Sequence, residues 1–273
     1  MTSDKLPILE YPGSSPALIE PSKLFGDKPR IHERCILCFF RDEIDKRRKT
    51  GELRRLRRLF GEGEATAVYA TGEGDDKLTV CFPGIGAPVA AAILEELIAL
   101  GGRYFICCGG CGVLDGSIPA GQLLLPTEAV RDEGTSYKYQ PSGRTSRPNP
   151  EAVLAIQEAC RARGVGLRSG LTWTNDALFR ETPEVIRRRR EEGCISVEME
   201  AAALFAVADF RGVVLGQILY AGDDVSGLEW NHRHWLHMSE AREQLYELSL
   251  DACRRLGRRT DPGATTVRER PPR

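Results

Sequence analysis

Five short segments carry residue types that could do chemistry. Glu198-Met199-Glu200 sets two carboxylates at the head of an apolar run, AAALFAVADF. Carboxylates in such a setting are costly unless donors or a polar ligand meet them. Acidic residues in a first helical turn also favour the helix dipole, which explains the charge but not the apolar neighbourhood. Asp223-Asp224 follows the apolar run VVLGQILYAG. Ligands of α/β proteins bind beyond the C-terminal ends of parallel strands, and a carboxylate held there with a raised pKa can protonate a leaving group. A polar Gly-Asp-Asp turn is the alternative. Pro83-Gly84-Ile85-Gly86-Ala87-Pro88 lies between a strand pattern and a helix pattern. Its glycines allow close backbone approach and the helix start offers N–H groups to an anion or hydroxyl, although a plain strand-to-helix turn needs the same residues. Cys108-Gly109-Gly110-Cys111-Gly112 follows the next strand and also permits close approach. Cys35-x-x-Cys38 and Cys108-x-x-Cys111 together have the ligand count of a zinc site. Residues i and i+3 of a strand point to opposite faces, however, so close backbone approach is the better account. His232, His234 and His237 in NHRHWLH do not make an i, i+4 metal pair and read as surface or interface residues. No metal is expected.

These segments need elements to hold them. Residues 35–40 read as a buried strand, 42–60 as a charged helical stretch, and 65–69 with 78–82 as two strands joined by a Gly-Asp turn. Residues 87–100 form an apolar helix stopped by Gly101-Gly102, and 104–108 a buried strand. Residues 122–125 and 128–131 are strands interrupted by Pro126. Asn149-Pro150 caps a helix to about Arg163, and 167–173 is a strand. Thr182-Pro183 opens a helix through the arginines at 187–190, read as a solvated face. Residues 197–210 form an apolar helix, 213–220 an apolar strand, and Ser239 caps a last helix to about Leu256. Such alternation, with continuous apolar strands, indicates one α/β domain whose sheet is covered on both faces. The expected division is an irregular arm over 1–30, a domain over 31–256 and a disordered basic tail over 257–273. From Arg254 onward there are seven arginines against Asp261 and Glu269.

Bulk properties narrow the function class. The 273 residues carry 38 basic and 39 acidic side chains, a net charge of −1, which gives no global attraction to nucleic acid or anionic membrane. No apolar run reaches the roughly 18–20 residues of a membrane span, and the N-terminus lacks the basic and apolar regions of a secretory signal. Nine cysteines, an odd number, fit free thiols in a reducing cytoplasm.

In their order, GIGAPVAAAILEEL, GGCGVLDGSIPAGQLLLPTEAVRDEGTSYKY and SVEMEAAALFAVADFRGV resemble the nucleoside phosphorylase and nucleosidase superfamily, which includes uridine phosphorylase and the hexameric purine nucleoside phosphorylases. The resemblance runs from about Cys35 to Leu256. It implies a three-layer α/β/α sandwich around a mixed, mostly buried central sheet. It implies cleavage of a nucleoside N-glycosidic bond, by phosphate to give base and ribose 1-phosphate, or by water as in nucleosidases. Such an enzyme serves nucleoside catabolism and salvage. Carried over by motif, Glu200 would bind the ribose hydroxyls, Met199 would pack on the sugar, and Glu198 would assist. Asp223 falls where purine-specific members hold the acid for the base, with Asp224 its rival. Leu178 and Phe179 fall in the base-contacting segment. Gly84, Gly86, Gly109, Gly110 and Arg41 belong to the phosphate or anion loops.

The departures from the family pattern are specific. The phosphate arginine reads Cys107 or Cys108, and the Ser or Thr after it reads Gly110. The Gly-Asp-Pro-x-Arg loop reads Phe40-Arg41-Asp42-Glu43-Ile44, so Arg41 or another subunit's arginine would have to supply the charge that a dianion requires. Asp42 or Glu43 could instead orient a water. The uracil-reading Gln and Arg have no counterpart at Thr182 and Glu184, which with Asp223 points to a purine. A non-catalytic nucleoside-binding protein is the remaining alternative. The resemblance implies phosphate as co-substrate with no cofactor, and a homo-oligomer, dimer or hexamer, with a shared site. Tyr137 and His232 are candidates for cross-subunit contacts.

Overall fold

The computed structural model describes residues 6–25, 30–59 and 65–258. After a short helix α1 (Pro21–Phe25), the chain runs β1 (Arg34–Cys38), α2 (Arg41–Lys49), β2 (Arg54–Leu59), β3 (Thr66–Thr71), β4 (Leu78–Cys81), α3 (Ala87–Ala99) and β5 (Tyr104–Val113). It continues β6 (Leu123–Asp132), β7 (Thr145–Ser146), α4 (Pro150–Ala162), β8 (Leu167–Asn175), α5 (Pro183–Glu191), β9 (Cys194–Glu198), α6 (Ala201–Arg211), β10 (Val214–Asp224) and α7 (Ser239–Arg255).

The ten strands among the described residues form one mixed sheet, which closes on itself in part. β10 pairs in parallel with β5 and antiparallel with β6, completing a ring β5–β10–β6–β8–β9. From β5 the sheet extends through β1, β4 and β3 to β2. Side-chain alternation sorts the core into layers. Cys35, Leu37, Phe105, Cys107 and Leu215 face α3 and α6, against Leu94, Leu97, Leu204 and Phe205. Ile36, Cys38, Ile106, Cys108 and Ile218 face α4 and α7, against Ile156, Leu245 and Leu248. Cys111, Val113, Leu124 and Leu219 fill the ring. Cys35 and Cys38 therefore lie in opposite layers and Cys111 in a third. All nine thiols are buried.

Several expected elements change. Residues 50–59 are not helical, and 60 lies outside the described residues: Gly51 at φ +84° stops α2, and 54–59 pairs with β3 instead. The glycine segment 109–112 lies inside β5, not after it. β6 is continuous through Pro126, absorbing it in a register shift before Glu128. Glu198 ends a strand, so α6 starts at Ala201, four residues later than expected. Asp223 and Asp224 are the last residues of β10, not a turn beyond it. Asn149 caps α4 by accepting from Glu151 N, whereas Met238 rather than Ser239 precedes α7. Arg189 departs from its solvated neighbours: it is buried, pairs with Asp132 and Glu192, and lies over the Trp173 ring.

Lys138 Nζ donates to the carbonyls of Pro7 and Glu10 in the N-terminal arm, and Arg211 pairs with Glu20. The expected tail lies outside the described residues beyond Arg258. Among the described residues, no helix is long and apolar enough to cross a membrane.

Candidate active site

A cavity of about 550 Å³ opens where β5, β9 and β10 end. Its acidic wall comes from the β9–α6 junction. Glu198 Oε1 accepts from Thr174 Oγ1 at 2.6 Å, and Oε2 accepts from the backbone N–H of Glu200 at 2.8 Å and Ala201 at 2.6 Å. Glu198 thus caps α6 from the strand before it, supplying the acceptor that the first N–H groups of a helix lack. Thr174 Oγ1 in turn accepts from Ala202 N. This network turns Glu200, 6% exposed, into the cavity, where Oε1 accepts from Gly86 N at 2.6 Å. Gly86, at φ +92°, precedes the first turn of α3, a conformation that favours glycine. Burial raises both carboxyls, and the charge of Glu198 adds to the effect on Glu200. Glu198 has the fuller set of donors and is pushed up to about 7, whereas Glu200 goes further, to about 8.

Asp223 also lines the cavity, and its Oδ2 accepts from Trp230 Nε1 at 2.7 Å. Leu178 and Phe179, on a 3-10 turn, line the cavity with Trp230, Val225 and Ile85. Asp224 is turned elsewhere. It does not line the cavity, pairs with Arg233, and accepts from Ser226 N, and these donors hold it below the usual carboxylate range.

The glycines of β5 explain themselves by what covers them. A Cβ on Gly109 would stand 3.4 Å from the Phe39 ring, one on Gly110 3.1 Å from the Tyr220 ring, and one on Gly112 3.1 Å from Val197. Close approach is therefore required, but by the chain's own side chains. Gly84, at φ +82°, has no room for a Cβ because Val89 Cγ1 would be 2.5 Å away. Arg41 does not reach the cavity; it lies over the Phe82 ring at 4.5 Å and lines a neighbouring cleft with Arg48, Arg55 and Arg58.

The structure thus brings Glu198, Met199, Glu200, Asp223, Leu178, Phe179, Gly109 and Gly110 together, with Gly86 touching Glu200, and leaves Asp224, Arg41 and Gly84 outside the lining. It adds residues that sequence reasoning missed. Arg242 of α7 is the cation lining the cavity among the described residues; it donates to Tyr220 Oη and pairs with Asp42. Gln217, 1% exposed in the apolar run of β10, has an Oε1 without a hydrogen-bond partner among the described residues. A lone polar residue in a buried strand was its only signal. Glu181 also lines the cavity, and burial pushes its carboxyl up to about 7.

Known proteins agree with this architecture. A guanosine phosphorylase of Halorubrum lacusprofundi is 31% identical over 175 residues, 62% of this chain and 72% of that protein. A uridine phosphorylase of Haemophilus influenzae is 27% identical over 155 residues, 52% of this chain and 62% of that protein. The structure of purine nucleoside phosphorylase from Toxoplasma gondii, solved with immucillin-H, matches with a TM-score of 0.72 at 20% identity, covering 83% of this chain and 92% of that one. Residues 33–262 match the phosphorylase superfamily, and the chain belongs to it.

Proposed function

We propose that the protein is a nucleoside phosphorylase that cleaves the N-glycosidic bond of a purine-type nucleoside with phosphate, releasing the base and ribose 1-phosphate. The observation that carries this reading is Glu200, a buried carboxylate lining a nucleoside-sized cavity that Asp223 also lines. In such a cleavage positive charge grows on the sugar and negative charge on the base, and groups placed for that charge lower the barrier. Glu200 accepts the ribose hydroxyls beside Met199, an acid at the Asp223 end protonates the leaving base, and Leu178 and Phe179 cover it. The guanosine phosphorylase relative agrees with a purine. Phosphate is met by Arg242, and in a homo-oligomer with a shared site a neighbouring copy supplies further charge. The reading needs no metal or organic cofactor, and it suits a cytoplasmic salvage enzyme.

A second reading has its own support. Phe39 packs against Gly109, and Cys107, which the resemblance puts in place of the phosphate arginine, is a buried thiol. Water as acceptor fits that surface. Base release from guanosine, inosine, adenosine and uridine, measured with and without phosphate, decides. Phosphate-dependent release of a purine with ribose 1-phosphate as product is expected. Equal release without phosphate transfers the conclusion to hydrolysis, and no release from any nucleoside overturns both readings.

A further inference from the structure

Gln217 of β10 lines the cavity and has no task in the reading above. It is 1% exposed, and its Oε1 lacks a hydrogen-bond partner among the described residues. The charged side chains of the lining are all engaged: Glu198 by Thr174, Glu200 by Gly86 N–H, Asp223 by Trp230, Glu181 by Asn175, and Arg242 by Tyr220. A buried acceptor left unpaired is costly, so an amide kept here calls for a ligand. Strand register fixes where it stands. Gln217 is the cross-strand partner of Cys107 in β5 and lies two residues beyond Leu215, so it leaves the sheet on the face that meets α3 and α6. Glu200 precedes α6 on that face, and its charge adds to burial in pushing the Cys107 thiol up. Gln217 therefore stands on the Glu200 side of the cavity. Along β10 it precedes Asp223 by six residues, about 20 Å at the strand rise. A base held at Asp223 lies well away from it.

Stereochemistry names what meets the amide. In a β-nucleoside the 2′ and 3′ hydroxyls lie on the face of the ribose opposite the base, and an oxygen that displaces the base enters by that same face. A side chain beside the carboxylate that takes those hydroxyls, and away from the base, stands where the attacking oxygen arrives. We propose that Gln217 holds the attacking oxygen, a nucleophile that carries an O–H: hydrogen phosphate or water. The assignment rests on the glycosidic reading above. Such a nucleophile has both an O–H and lone pairs, and an amide matches both. Its oxygen accepts, its NH2 donates, and half a turn of the amide exchanges them. Gln217 itself takes no proton. As the C1′–N bond breaks, its electron pair passes to the base and an oxygen of the nucleophile bonds to C1′. The O–H proton of the nucleophile goes to solvent, and the base gains one from an acid of the cavity that solvent then reprotonates.

Gln217→Met keeps the length of the side chain and removes its polar atoms; its fold is checked by circular dichroism. Base release is followed at saturating nucleoside, over a range of phosphate concentrations and without phosphate. Where phosphate attacks, the variant should raise the KM for phosphate by roughly ten- to a hundred-fold; where water attacks, it should lower the phosphate-independent kcat by the same factor. In either case the KM for the nucleoside stays near its wild-type value, a split that a merely structural defect would not produce. Gln217→Glu separates the two sources. Its charge repels phosphate and should abolish phosphorolysis, whereas it still accepts from water and should keep hydrolysis. If the Met variant does not fold, Gln217→Asn, which withdraws the amide by one methylene, must give the same split. A phosphate KM and a kcat both at wild-type values, or a loss confined to the nucleoside KM, overturns the proposal. A wild type that releases no base from any nucleoside overturns the glycosidic reading itself, and this assignment with it.

Discussion

Glu200 is kept at a cost. Its carboxyl is buried beside that of Glu198, so the folded protein holds the proton more tightly than the unfolded chain does. Folded Glu200 then binds more protons than unfolded Glu200 as pH rises above its ordinary 4.5, and stability falls with pH in that window. Glu200→Gln keeps an oxygen for the Gly86 N–H and removes the ionisation. The variant should be more stable than the wild type at pH 8, by on the order of 1–3 kcal/mol, while losing base release. Urea unfolding at pH 5 and pH 8 checks the sign: the gain must shrink at the lower pH, and an equal gain at both would exclude the ionisation as its source.

At the scale of elements, the active wall depends on a junction, where β9 ends and α6 begins. Thr174 of β8 donates to Glu198 and accepts from Ala202, holding both sides of that junction. Thr174→Val keeps the shape and deletes both bonds. It should destabilise the fold by about 1–3 kcal/mol, measured by chemical denaturation. It should also raise KM for the nucleoside more than it lowers kcat, because Glu200 loses its orientation. This junction shows what sequence could and could not disclose. The SVEMEAAAL pattern marks Glu198 and Glu200, and their apolar setting marks them as unusual. That pattern does not reveal that one carboxylate serves the helix and the other the cavity, since the difference lies in where the strand stops. Asp223 was legible because it ends an apolar strand, whereas Asp224 needed the structure to show its pairing with Arg233. Glu181 sits in an ordinary polar stretch, and Arg242 lies on the polar face of a charged helix. Only the packing of distant elements gives either of them a cavity to face. The helix expected over 42–60 is present only to Lys49, because a glycine and a neighbouring strand outweigh the helical propensity of the arginines that follow.

At the scale of the molecule, ring closure joins five strands so that Glu198 at the end of β9 and Asp223 at the end of β10 belong to one hydrogen-bonded frame. Arg47 ties the outer layer to that frame through Glu52 and Glu247, lying over the Tyr246 ring. The partial closure has another consequence. A sheet that curls into a ring gives up its free borders on that side, and the strand left at the far end of the row is β2. An unpaired strand border is a template on which foreign chains can stack, and cells pay for such stacking with aggregates. Here that border reads Arg54-Arg55-Leu56-Arg57-Arg58, a row of like charges that repels a second copy before its backbone can pair. Arg55→Thr with Arg58→Thr should leave the cavity intact and increase light scattering during refolding, most strongly at low salt, where the lost repulsion has the longest reach.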